Sequence, residues 1–115
     1  MAATKSLELL QGTLDLLVLK ALAFGPQHGY GVARFVRETT NGRIDVEEGA
    51  LYTALHRLER RGLVEAEWGV SENNRRAKYY ALTGDGRRAL RQQTRTWTEY
   101  AEAVFMVLRA EGVSA

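Results

Sequence analysis

Thr53, His56, Arg57 and Arg60 fall at i, i+3, i+4 and i+7, the spacing that sets side chains along one face of a helix. They bring a hydroxyl, an imidazole and two guanidinium groups to that face, a set suited to hydrogen-bonding polar edges and anions. Asn74, Arg75, Arg76 and Lys78 form a second, more basic group further along. Neither group has the makings of catalysis. Cysteine is absent, and the only two histidines, His28 and His56, stand at unrelated positions without the HExxH spacing of a zinc hydrolase. Gly84-Asp85-Gly86 is too short to cradle a phosphate, and no nucleophile, base and orienting acid fall into a recognised arrangement. The expectation is a binding protein rather than an enzyme, with no cofactor and no metal.

The elements that position these groups follow from periodicity. Residues 13–24 read as a helix with Leu14, Leu16, Leu17, Val18, Leu19, Ala21 and Leu22 on nearly every side. A helix apolar all round must be buried all round, so a second subunit is expected to cover part of it. Thr13 is placed to cap this helix, Asp15 to pair with a cation, and Gly25-Pro26 to end it. Residues 28–40 read as a second helix with Tyr30, Val32, Ala33 and Val36 inward, closed by the Asn41-Gly42 turn signal; Gly29 and Gly31 suggest close backbone packing. Residues 48–61 read as a third helix whose Leu51, Leu55 and Leu58 form a buried stripe opposite the polar row, with Gly62 as its C-terminal cap.

Strict alternation follows: Val64, Ala66, Trp68 and Val70 on one side, Glu65 and Glu67 on the other, the pattern of a half-covered strand. A polar turn over residues 71–76 leads to a returning strand at residues 78–82, so that Asn74, Arg75, Arg76 and Lys78 cluster about the tip of a hairpin. Thr83 can cap a last helix reaching Ala110, about 27 residues and roughly 40 Å long. On it Leu90, Thr94, Trp97, Ala101, Val104 and Leu108 alternate spacings of four and three, the seam of a two-helix packing. With Leu14 and Leu17 of the first helix, Leu90, Trp97, Ala101, Val104 and Leu108 are the expected dimer interface.

Three helices, a hairpin and a long helix make a mainly α fold with a small β-hairpin, a winged helix-turn-helix plus a long C-terminal dimerisation helix. Residues 1–83 are expected to be the DNA-binding part and residues 84–115 the dimerisation helix of the same compact unit, with no separate effector domain. A major groove about 12 Å wide admits one helix. The third helix would enter it, and the hairpin would lie along neighbouring phosphates or enter the minor groove.

Four segments also resemble the PadR family of bacterial transcriptional regulators: Leu10-Gln11-Gly12-Thr13-Leu14-Asp15-Leu16-Leu17-Val18-Leu19, His28-Gly29-Tyr30-Gly31, Gly49-Ala50-Leu51-Tyr52-Thr53-Ala54-Leu55-His56-Arg57-Leu58-Glu59, and Arg76-Ala77-Lys78-Tyr79-Tyr80-Ala81-Leu82-Thr83 followed by Gly86. The resemblance covers roughly residues 7–110. Two positions depart from the family pattern: Ala50 stands where threonine is usual, and Thr53 where proline is common. The resemblance implies a homodimeric winged-helix repressor and supports Tyr52 as a DNA contact. It also implies a possible ligand site, because some relatives bind flat aromatic compounds between their subunits. Trp97 is then either an interface tryptophan or the wall of a pocket for such an effector.

The expected DNA-binding set is thus Tyr52, Thr53, His56, Arg57 and Arg60 on the third helix with Asn74, Arg75, Arg76 and Lys78 on the wing. Tyr30 reads as structural, with phosphate contact as the sharper alternative. Glu47 and Glu48 suit a helix N-terminus but repel phosphate; they restrain non-specific binding or accept from cytosine amino groups. A winged-helix module binding protein instead of DNA is the competing reading, and a dimer whose main role is drug sensing a third.

Composition bears on these readings only broadly. The 115 residues are 45% hydrophobic and 26% charged, with a formal net charge of +2, so the placement of cations matters more than their sum. No apolar run approaches the ~20 residues of a membrane span, Glu8, Gln11 and Asp15 interrupt any export signal, and a cytoplasmic location is expected.

Overall fold

The structure, a computed structural model, describes residues 12–112. Leu10 and Gln11 of the first family-like segment lie outside the described residues. The chain runs α1 (Thr13–Leu22), β1 (Gln27–His28), α2 (Gly29–Thr39), α3 (Glu48–Arg60), β2 (Val64–Val70), β3 (Arg76–Leu82) and α4 (Gly84–Leu108). This is a winged helix-turn-helix with a long C-terminal helix.

The leucines of α3 behave as their spacing requires. Leu51, Leu55 and Leu58 are buried against Val18, Leu19 and Leu22 of α1 and Val32 and Val36 of α2. A Schellman pair closes α3: the N–H of Gly62 donates to the Glu59 carbonyl and that of Leu63 to the Leu58 carbonyl, both at 3.0 Å. Gly62 sits at φ +75°, a conformation that a Cβ penalises.

Three local expectations are corrected. Thr13 is the first residue of α1 rather than its cap, Gly12 occupies the cap position, and the Thr13 Oγ1 is buried without a hydrogen-bond partner among the described residues. Tyr30 does not face inward with Val32 and Val36; it is 60% exposed. The hairpin carries a third strand, because β1 pairs antiparallel with β3 in the order β1-β3-β2, with Gln27 opposite Tyr80 and His28 opposite Tyr79. Two residues are too few for an alternation signal, and only the partner strand makes them a strand.

His28, the last residue of β1, also caps α2, its Nδ1 accepting from the Gly31 N–H at 3.0 Å. The start of α4 is tied to the end of α3 by backbone. Thr83 Oγ1 accepts from the Gly86 N–H at 3.0 Å and donates to the Gly62 carbonyl at 2.7 Å, while the Thr83 N–H donates to the Leu63 carbonyl. Gly86 is buried here, and a Cβ on it would stand 2.0 Å from the Leu63 carbonyl oxygen. The long helix therefore leaves the body at an angle set by the α3–β2 turn.

Candidate nucleic-acid interface

On the side of α3 opposite its leucines, Thr53, His56 and Arg60 are exposed and make no ion pair or side-chain hydrogen bond among the described residues. Tyr52 lies at the edge of this face, 38% exposed, its ring laid over Gly29 at the start of α2; a Cβ there would fall 2.7 Å from the phenol oxygen. The glycine thus lets the two helices of the helix-turn-helix approach. Arg57 belongs to the same outward row by spacing but is engaged by its own chain. Its Nε donates to Asp15 Oδ2 at 3.1 Å and its Nη2 to Asp15 Oδ1. Those hydrogen bonds to the carboxylate hold the Arg57 guanidinium more firmly protonated than usual.

The wing supplies the second wall. Its tip is set by backbone hydrogen bonds from the Ser71 N–H to the Arg75 carbonyl and from the Asn74 N–H to the Ser71 carbonyl, with Asn74 at φ +58°. Asn74, Arg75 and Arg76 are exposed. The alternation read for β2 is kept in register, but cover fades along it: Val64 is buried, whereas Trp68 is 57% and Val70 65% exposed. The strand simply outruns the body beneath it. Trp68 finds a partner on β3, with the Arg76 guanidinium carbon 4.4 Å from its ring centroid, within cation–π range. Lys78 turns back toward α3, its Nζ 3.7 Å from Glu59 Oε1. That contact ties wing to helix and spends part of the lysine's charge inside the subunit.

Between α3, the start of α2 and the wing lies an open groove of about 610 Å³, walled by Tyr30, Tyr52, His56, Trp68, Arg76 and Lys78 among others. Tyr80 closes its floor from the core; burial, with Glu59 adding to it, pushes the phenol above the ordinary tyrosine range. No group of three metal-ligating side chains occurs among the described residues. An aromatic and basic groove beside a protruding helix offers hydrogen bonds, positive charge and stacking surfaces, the complement of a nucleic-acid backbone and its bases.

Residues 18–92 match the sequence pattern of the transcriptional regulator PadR-like family. The chain is a member of that family. Its architecture is shared with a transcriptional regulator from Clostridium thermocellum at a TM-score of 0.76 and 27% identity, over 84% of this chain and 90% of that one. A PadR family regulator from Clostridium difficile gives 0.73 and 30%, over 84% and 99%. One from Eggerthella lenta gives 0.75 and 32%, over 88% and 86%. This PadR-like protein is accordingly a transcriptional regulator and not an enzyme.

The regulator carries a second feature, away from the wing. Leu14, Leu17 and Leu90 are half-buried, and a groove of about 690 Å³ between α1 and α4 is walled by Leu16, Leu17, Lys20, Leu90, Thr94 and Trp97. Beyond it α4 projects from the body with Trp97 41%, Val104 38% and Leu108 72% exposed, and Ala101 half-buried. Phe105, 47% exposed, widens this apolar surface beyond the seam read from spacing. No helix among the described residues is long and apolar enough to cross a membrane. Sequence reasoning missed Trp68 and His28 as parts of the first groove. Trp68 lies on β2 and His28 on β1, and the pairing of both strands with β3 brings them to the groove, a proximity that no local spacing signals.

Proposed function

We propose that the regulator is a homodimeric, sequence-specific DNA-binding repressor. The observation that carries the reading is the division of α3: buried leucines on one side, exposed Thr53, His56 and Arg60 on the other, with the wing cations Arg75 and Arg76 flanking them. In this reading α3 enters a major groove, Tyr52 and Tyr30 border its entry, and Asn74, Arg75, Arg76 and Lys78 meet phosphates or the adjoining minor groove. The apolar stripe of α4, from Leu90 through Trp97 to Leu108, closes against the same stripe and the α1 helix of a second copy. Two α3 helices related by a two-fold axis then address half-sites about 34 Å apart on a roughly palindromic operator, and occupation of a promoter blocks transcription.

The test is a gel shift at graded salt with the DNA upstream of the regulator's own gene, paired with selection from random duplexes. A salt-dependent shift and a symmetric selected site support the reading. No shift at low salt, with a protein partner recovered instead, favours the interaction-module alternative. For an effector, the Trp97 groove suits a flat aromatic molecule, which stacks on the indole face and would release DNA only by binding one subunit spacing better than the other. A planar aromatic dye should quench tryptophan fluorescence in the native chain more strongly than in Trp97→Phe, where Trp68 alone remains.

A further inference from the structure

Arg57 sits in the middle of the row that α3 turns outward, yet its guanidinium meets the Asp15 carboxylate fork on fork. The two residues are 42 positions apart, so the contact joins α3 to α1. Asp15 is well covered, with 16% of its side chain exposed, and Arg61 Nη1 stands 4.0 Å from the same carboxylate. Swinging Arg57 out to a duplex would leave this carboxylate largely desolvated and facing only a distant cation, an unfavourable exchange. The helix that carries Asp15 also carries Leu16 and Leu17, which wall the groove shared with Trp97.

We propose that Arg57 is a positioning residue rather than a DNA contact: with Asp15 it clamps the recognition helix to α1, and so sets the separation and angle at which a dimer presents its two α3 helices. The clamp links the DNA-facing element to a helix that shares the Trp97 groove, and it adds a polar tie to the packing of the α1 and α3 leucines, so a groove ligand that displaces α1 also displaces α3. This rests on the dimeric DNA-binding reading above. Arg57 then contributes rigidity to half-site spacing, while Thr53, His56 and Arg60 contribute contacts.

The experiment compares the native chain with Asp15→Asn and Arg57→Lys, by fluorescence anisotropy on the selected operator across a salt series and by selection from duplexes with randomised half-site spacing. The clamp predicts that both variants bind roughly three- to thirtyfold more weakly, with an unchanged slope of log affinity against log salt. Base preference within each half-site is kept, and a wider range of spacings is accepted. Lysine keeps the charge but loses the planar fork, so its failure to restore binding is part of the prediction. A direct contact predicts the opposite sign for Asp15→Asn: the freed guanidinium tightens binding and steepens the slope by about 0.9 per added phosphate contact. That result overturns the clamp, as does an unchanged affinity and spacing, or relaxed preference at one base position in Arg57→Lys with spacing intact. Should Asp15→Asn fail to fold, judged by circular dichroism, Arg57→Lys carries the test through the same readouts. A native chain that binds no duplex at all overturns both readings, whereas a native chain that binds with tightened Asp15→Asn overturns only the clamp.

Discussion

Removing Arg75 and Arg76 tests the wing through the one property that phosphate contacts cannot hide. Both side chains are exposed and neither has an ion partner among the described residues; Arg76 is steadied on the Trp68 ring. Each phosphate neutralised contributes about 0.9 to the slope of log affinity against log salt. With two cations per subunit and two subunits, the double variant Arg75→Ala, Arg76→Ala should flatten the slope by up to about 3.6. Between about 50 and about 200 mM salt, the native dimer should then lose up to roughly 150 times more affinity than the variant. The loss of binding at low salt should be the same for operator and random duplex, since phosphates carry no sequence. Lys78→Ala should change the slope less, because Glu59 already engages that lysine at 3.7 Å. Anisotropy of a labelled duplex across the salt series measures all of this. The wing's fold should survive, as its turn is held by backbone hydrogen bonds, and circular dichroism checks it. A slope in the double variant within about 0.5 of the native one would refute the wing as a phosphate clamp.

Three further outcomes follow from the fold. Gly86→Ala forces a methyl to 2.0 Å from the Leu63 carbonyl oxygen, an overpacking against backbone costing about 2 kcal/mol or more; thermal unfolding should show a midpoint lowered by roughly 8 °C or more, and an unchanged midpoint contradicts the packing. Val104→Glu or Leu108→Glu places a charge on the outer α4 stripe, which a single chain leaves exposed. Sedimentation should report monomers with native helix content, and a variant that stays dimeric means the seam lies elsewhere. Finally, burial raises the Tyr80 phenol above its usual value, so at alkaline pH the unfolded chain releases its proton first and binds fewer protons than the folded one. Stability is fully present below the ordinary tyrosine value of about 10 and declines as pH rises from there toward the folded value. Tyr80→Phe should flatten that alkaline decline in chemical denaturation, and an equal decline in both chains removes Tyr80 as its source.

Most of the elements were legible because their signals are local. The leucine spacing of α3, the glycine that closes it and the threonine cap of α4 each need only a few neighbouring residues, and each recurs in the structure; the alternation of β2 recurs over residues 64–67 and is lost beyond them. The apolar excess on α1 and α4 was likewise plain from spacing. Elements whose existence depends on a distant partner were not legible. β1 is a strand only because β3 runs beside it. Tyr30 is a different case: two residues from Val32 on a helix of about 3.6 residues per turn, it lies nearly opposite the buried side, so its outward direction was local information that the inward reading overlooked. Trp68 alternates as a covered residue should, yet the body ends before reaching it.

The amino-acid order alone determined which faces are apolar and which carry hydroxyls, imidazole and cations, since helix and strand geometry repeat every few residues. Only the folded chain decided which of those outward groups stay available. Asp15 engages Arg57 across 42 residues, Glu59 draws Lys78 in, and Arg76 rests on Trp68. A charge is spent or spared by whatever long-range packing brings to within a few ångströms of it, and that proximity has no period to read.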